Sequence, residues 1–384
     1  MSPSRETMSR VFGTGLTALA PISAWAQGAA GVSGPPPAWR FQVTVDGTWY
    51  ENVYFTTPTG EEATWGSSAT AALAHTRRFR TGSFSISGYG GMLYYPEAEG
   101  LDQATYGGAL GLGWAASPRT QFTLSQSYNR SNTRELRALD PEALPVPTSG
   151  VNNASTAVGL SQRLTRRLQL SLGGTFTFRR YDSSELAGGE QLGATVELGH
   201  ATGKYTSVYL AYGYTRSWLE EGRGSRVHVG GVGARRQLER GLSLEAAAGI
   251  AYIESVGQFH PTGRLGLSAR GRRTSFDALY HRDFGQAFGY GRDTIADLAS
   301  VGFGWTPVER LSFSAGYSFG DRRDPTEEGF HVRSHALSAG FGWGITRHLS
   351  FGARYGWEQN ETEGAPKVSG SRATASLSYG VDWR

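Results

Sequence analysis

The chain has 384 residues, a formal net charge of +4, no Cys, 54 Gly, 10 Trp and 3 Met. The lack of Cys excludes disulfide frameworks, thiolate metal sites and Cys nucleophiles, and so small and dispersed a charge argues against a nucleic-acid partner. Beyond position 26 no run approaches the roughly 20 apolar residues of a membrane-crossing helix, and 12% aromatics spread along the chain set disorder aside, which leaves a Gly-rich, aromatic-rich β-protein.

Residues 1–26 read as a secretory signal peptide. Arg5 and Arg10 form a basic start, Val11 to Ile22 a short apolar stretch, and Ala24-Trp25-Ala26 a small-residue cleavage site before Gln27. Residues 27–38, with Pro35-Pro36-Pro37, form a linker on the periplasmic side with no apolar period. The folded part is expected over 39–384.

From Trp39 onward the dominant signal is period-two alternation broken by polar turns, the pattern of strands with two unlike faces. Leu168, Leu170, Leu172, Phe176 and Phe178 alternate with Ser, Gly, Thr and Arg. Leu337 to Ile345 and Leu349 to Trp357 repeat the pattern, and Leu311 to Phe319 and Ala373 to Trp383 follow it. A short turn with a basic residue leads into a strand at positions 119, 167, 204, 240, 273, 310 and 347, spaced by 48, 37, 36, 33, 37 and 37 residues. One unit is therefore a hairpin of two long strands, a tight turn and a longer loop.

This ruler predicts about eighteen strands (16–18), starting near Trp39, Ala63, Gly82, Gln103, Gln121, Ala154, Arg167, Gln191, Tyr205, Val227, Leu242, Gly263, Ser275, Thr294, Leu311, Val332, Leu349 and Ser371. The expected fold is an all-β transmembrane antiparallel up-and-down barrel with short periplasmic turns and longer extracellular loops. Acidic residues collect in the longer loops, among them Glu61, Glu97, Asp182, Glu220, Asp324 and Glu361, while the short turns are basic. Trp114, Trp305, Trp343 and Trp383 fall at the periplasmic ends of strands, and Trp49, Trp65, Trp218 and Trp357 near the loop ends. Two belts separated by apolar residues are what the two bilayer interfaces select.

The turn-strand repeat, as in Thr165 to Tyr181 and Val308 to Gly320, resembles the outer-membrane beta-barrel porin family, of the type called beta-barrel porin 2-like. The last strand, ending in Leu377, Tyr379, Val381 and Trp383, looks like the C-terminal strand signal of outer-membrane proteins, except that Arg384 follows the terminal aromatic. The resemblance implies the cell outer membrane, outer-membrane lipid and lipopolysaccharide around the wall, and the barrel-assembly machinery as a partner. Some members accompany exopolysaccharide export, which makes polysaccharide export components a candidate partner.

Function has to come from the lumen, since a barrel alone hosts many activities. Assignable inward positions are mostly Ser, Gly and Thr, and an eighteen-strand cylinder has a backbone radius of about 18 Å, so water fills it unless something intervenes. The charged candidates to line it are Arg40, Asp46, Arg179, Glu197, Glu245, Arg264, Arg270, Asp277, Arg354, Arg372 and Asp382. The long loop Asn129 to Asn153 carries Arg134, Glu135, Arg137, Asp140 and Glu142, followed by Pro145 and Pro147. It is a candidate constriction that would fold inward between the fifth and sixth strands, the alternative being a short outward helix capped by the Pro-rich stretch.

No Ser motif accompanies His331, Arg333 and His335, which share a lipid-facing register near the external rim, so contact with lipopolysaccharide phosphates is favoured over catalysis there. His residues show no metal-ligand spacing, and nothing calls for a cofactor. The sequence expectation is a water-filled channel for hydrophilic solutes or for polysaccharide export, with a closed structural or adhesion barrel as the alternative.

Overall fold

A computed structural model of the chain describes residues 39–53, 63–98, 102–133, 148–220, 224–238, 241–288, 292–326 and 331–383. The expected signal peptide and linker lie outside the described residues. Eighteen strands of 12 to 17 residues follow one another: β1 (Trp39–Tyr50), β2 (Thr64–Phe79), β3 (Gly82–Tyr94), β4 (Gln103–Ser117), β5 (Thr120–Asn132), β6 (Gly150–Arg163), β7 (Leu168–Tyr181), β8 (Gly189–Ala201), β9 (Thr206–Leu219), β10 (Gly224–Gln237), β11 (Leu242–Ile253), β12 (Gln258–Arg270), β13 (Thr274–Ala287), β14 (Arg292–Val308), β15 (Leu311–Arg323), β16 (His331–Gly344), β17 (Leu349–Thr362) and β18 (Val368–Trp383). The expected number is borne out, and six expected starts, including Trp39, Leu242 and Leu349, coincide with the observed ones.

Each strand pairs antiparallel with the next, and β1 pairs with β18 from Trp39↔Trp383 to Tyr50↔Arg372, so the sheet closes on itself. Three of the short turns share a local device that explains their similar sequence. Ser117, Thr165 and Thr346 each accept, through the side-chain oxygen, the amides two and three residues ahead, at 3.0 to 3.2 Å. A hydroxyl at that position makes a turn without help from the rest of the fold.

The two faces of the wall differ in kind. Within the strands, the exposed large apolar side chains fall on one register: Phe41 and Val45 on β1, Leu73 on β2, Ile86 on β3, Leu192 and Val196 on β8, and Leu377 and Tyr379 on β18 are examples. The other register carries Ser, Thr, Gly and charged residues, and its side chains from β1 to β3 and from β15 to β18 border one cavity. That register is the lumen, and the apolar one faces outward.

Candidate functional site: the lumen and its inward hairpin

The lumen wall has two unlike halves. On β8 to β12 the inward side chains form a continuous charged ladder. Arg235 donates to both Glu197 oxygens, at 2.7 and 2.9 Å, and to Glu245 Oε1 at 3.3 Å, while Arg264 Nε lies 3.5 Å from Glu245 Oε2. The Tyr209 hydroxyl donates to Glu245 at 2.9 Å, and the Arg235 guanidinium lies 4.0 Å from the centroid of the Tyr209 ring. Gly233 makes room for this stack, because a Cβ there would collide with the Tyr209 ring. The five strands β8 to β12 are thus tied together through Arg235 and Glu245 by charge-assisted contacts, the one to Glu197 bidentate.

The opposite half, β15 to β18 with β1 to β3, is built from small hydroxyls and glycine. Thr44 pairs with Ser378 at 2.9 Å, Thr48 with Thr374 at 3.0 Å, and Ser68 donates to Asp46 at 2.9 Å. Arg40 is bidentate to Asp382 at 2.7 and 3.1 Å. Between these groups lies a recess of about 440 Å³ bordered by Asp46, Thr48, Tyr50, Arg354, Arg372 and Ser376. Short side chains leave this space where bulky ones would fill it.

The feature that divides the halves is the upper part of the β13–β14 hairpin. The β12–β13 ladder runs only from Arg270↔Ser275 to Arg264↔His281, seven pairs, whereas β11 pairs with β12 through to Gln258. Above Arg264 the two strands part, and Pro261, which has no N–H to give, stands in the parted stretch of β12. The freed hairpin folds inward. Phe284 and Ile295 pack on Val227, Ala251 and Ile253 of the inner wall, and Phe288 reaches Val151, Tyr181, Leu186 and Leu219, which belong to β6, β7, the β7–β8 loop and β9. The Arg179 guanidinium lies 5.7 Å from the centroid of the Phe288 ring. Both clusters are buried, so the hairpin is docked by apolar area rather than by a few polar contacts.

All eleven charged residues selected from the sequence for the lumen, Arg40, Asp46, Arg179, Glu197, Glu245, Arg264, Arg270, Asp277, Arg354, Arg372 and Asp382, lie on the inward register. The structure brings Glu197, Glu245 and Arg264 together, and pairs Arg40 with Asp382. Sequence reading missed Arg235, although its parity on β10 places it inward opposite Glu245. It also missed the hairpin. The expected constriction residues Arg134, Glu135, Arg137, Asp140 and Glu142 lie outside the described residues; the inward element among the described residues is the β13–β14 hairpin.

On the outside, Trp114, Trp305, Trp343 and Trp383 share the apolar register at one end, and Trp49, Trp65, Trp218 and Trp357 share it at the other. Trp305 stacks on Phe313 at 5.5 Å, and Trp49 stands directly opposite Trp65. Apolar side chains between two aromatic belts, around a closed sheet, are the signature of a wall immersed in a bilayer. The chain is a transmembrane β-barrel.

Beyond the loop-end belt the barrel carries an outward band of ion pairs: Arg130 with Asp182 at 2.6 Å, Arg180 with Glu220 at 2.9 Å, Arg226 and His228 with Glu254 at 3.2 and 2.8 Å, and His331 and Arg333 with Asp321 at 2.6 and 3.2 Å. His335 meets the Tyr317 hydroxyl at 2.8 Å. The three residues singled out on β16 are thus held by neighbours within the barrel. Among the described residues no group of three His, Asp or Glu is arranged to hold a metal ion.

No protein-family model and no curated relative matches the chain. Among solved structures, it is similar to OccAB2 from Acinetobacter baumannii (9% identity, TM-score 0.49, covering 90% of this chain and 98% of that one). It is also similar to OccK9 (OpdG) from Pseudomonas aeruginosa (14%, 0.47, 89% and 98%) and to the siderophore receptor PirA from Pseudomonas aeruginosa (10%, 0.48, 91% and 81%). At these identities and TM-scores the likenesses bear on neither solute nor mechanism.

Proposed function

We propose that the protein is an outer-membrane channel through which hydrophilic solutes pass passively, with the inward β13–β14 hairpin as its constriction. The observation that carries this reading is the recess bordered by Asp46, Arg354 and Arg372, left open on the hydroxyl-lined half while the hairpin occupies the other. Charges of both signs border it, so the passage suits small polar or zwitterionic solutes with a mild ion preference. Among the described lumen residues nothing favours polysaccharide export. The outward rim of arginine and histidine is proposed to meet lipopolysaccharide, and the terminal strand to engage the assembly machinery.

Single-channel conductance of the refolded protein in planar bilayers tests the reading. Wild type should conduct steadily, and Phe288→Ala should conduct more, since truncating a buried Phe removes about 3 kcal/mol of docking. Folded barrels that show no conductance in either form would refute the channel and support the closed structural alternative.

A further inference from the structure

The short-turn end of the barrel carries a ring of cations that no described carboxylate compensates. Each of the seven turns described there holds an exposed Arg or Lys: Arg80, Arg119, Arg167, Lys204, Arg273 and Arg310 in six of them, and Arg347 in the seventh. Arg77 and Arg236 add two more on the outward register, opposite Phe84 and Leu244. None of these nine has an ion pair among the described residues. The carboxylates of this end do not offset them. Asp382 is held by Arg40 at 2.7 Å, Asp277 lies on the inward register, and Glu309, beside Arg310, is the one carboxylate within the described turns. At the opposite end the cations are matched, since Arg130, Arg180, Arg226, Arg333 and Lys367 each meet a carboxylate at 2.6 to 3.2 Å.

The ring lies at a definable depth. Trp305 stands opposite Thr274 and Trp343 opposite Leu311, so Arg273 and Arg310 follow the aromatic belt by one residue, and Trp114 faces Gly82, two residues from Arg80. At about 3.3 Å per residue these cations lie roughly 3 to 7 Å beyond the belt. The polar layer outside a hydrocarbon core about 30 Å thick is itself roughly 5 to 8 Å deep, which sets the cations among lipid headgroups. Successive turns are two strands apart, about 12 Å around the wall, and the Debye length at 0.1 M salt is about 10 Å. Neighbouring turns therefore share one continuous positive field. A band that encircles the wall matches an annulus of lipid, whereas a folded acidic partner would meet one side of the barrel or its mouth.

We infer that this band binds the anionic phospholipid headgroups of the leaflet on the short-turn side, drawing them to the wall in preference to zwitterionic ones. The selection depends on the membrane-spanning fold and is independent of whether the lumen conducts.

Electron spin resonance of spin-labelled phosphatidylglycerol and phosphatidylcholine tests it, with the refolded full chain in phosphatidylcholine vesicles, because lipid held at the wall gives a motionally restricted signal. At low salt wild type should restrict phosphatidylglycerol about threefold more than phosphatidylcholine, and the ratio should fall toward one in high salt as the charges are screened. Arg119→Gln, Arg273→Gln, Arg310→Gln and Arg347→Gln, made together, should cut the preference by at least half, while Lys at the same four positions should retain it. Two ion pairs removed whole from the other end, Arg130→Gln with Asp182→Asn and Arg180→Gln with Glu220→Gln, should leave wild-type behaviour. Equal restriction of the two lipids by wild type, a preference insensitive to salt, or one equally lost with the two external pairs would overturn the assignment. A preference undiminished by the four Gln substitutions would overturn it too, and would leave the ring to a soluble acidic partner.

Discussion

Phe288, at the tip of the β13–β14 hairpin, packs against Leu219 of β9, four strands away around the wall. Two positions so far apart along the sheet meet only because the hairpin crosses the lumen. Since the chain has no Cys, the pair Phe288→Cys and Leu219→Cys can be cross-linked selectively, by a bifunctional thiol reagent where a direct disulfide does not form. Oxidised, the double variant should keep conductance at the wild-type level and suppress current fluctuations. Reduced, it should conduct more, like Phe288→Ala. A reduced and an oxidised form with the same current would mean that the hairpin does not set the passage.

Arg235 holds Glu197 and Glu245 together, and these side chains are about four-fifths and three-quarters buried. Arg235→Gln leaves Glu197 without its cation and Glu245 with only the looser Arg264 contact, at a cost of about 1 to 3 kcal/mol. The expected result is a lower unfolding midpoint in denaturant together with a reversal potential displaced toward cation selectivity. Arg264→Gln should have a smaller effect of the same sign, because its contact with Glu245 is looser at 3.5 Å. Equal effects from the two variants would contradict the ladder as described.

The hydrogen bond from His228, with Arg226 beside it, holds the Glu254 carboxyl below its ordinary value at the external end of β11. A depressed carboxyl contributes stability that is present above its unfolded pKa and is lost as pH falls through the folded one. Thermal unfolding of wild type and Glu254→Gln should therefore differ at pH 7 and converge as the pH is taken below the ordinary carboxylate range. A difference that persists unchanged at low pH would show that the contact does not depend on charge.

Hydrogen exchange should divide β12 in two. Amides from Leu265 to Ala269 lie between two ladders, whereas above Arg264 only the β11 side is paired. Every second amide from Phe259 to Gly263 should exchange well before those nearer the periplasmic turn. Uniform protection along β12 would mean that the seam is zipped.

The strands were legible because alternation and turn chemistry are both local: Thr165 and Thr346 make their turns within four residues, and Leu168 to Phe178 declare an outward face without reference to any partner. The inward lumen charges followed from the same parity. The hairpin did not, because folding it inward changes neither strand length nor spacing. Its traces in the sequence are exceptions to the pattern. Leu279 and Leu298 are large and apolar on the inward register, Arg282 and Asp297 are charged on the outward one, and Pro261 interrupts a strand. The expected start of β12 at Gly263, five residues after the observed Gln258, falls beside that proline. Each exception is ordinary alone, and only their common height on three adjacent strands points to one event.

A constriction made from the wall itself has a consequence for assembly. The strands that narrow the passage also complete the cylinder, with β14 carrying the ladder on to β15 and so to the closing contact of β18 with β1. On the channel reading, narrowing therefore needs no separate plug or added segment: the strands that set the width are themselves strands of the closed wall.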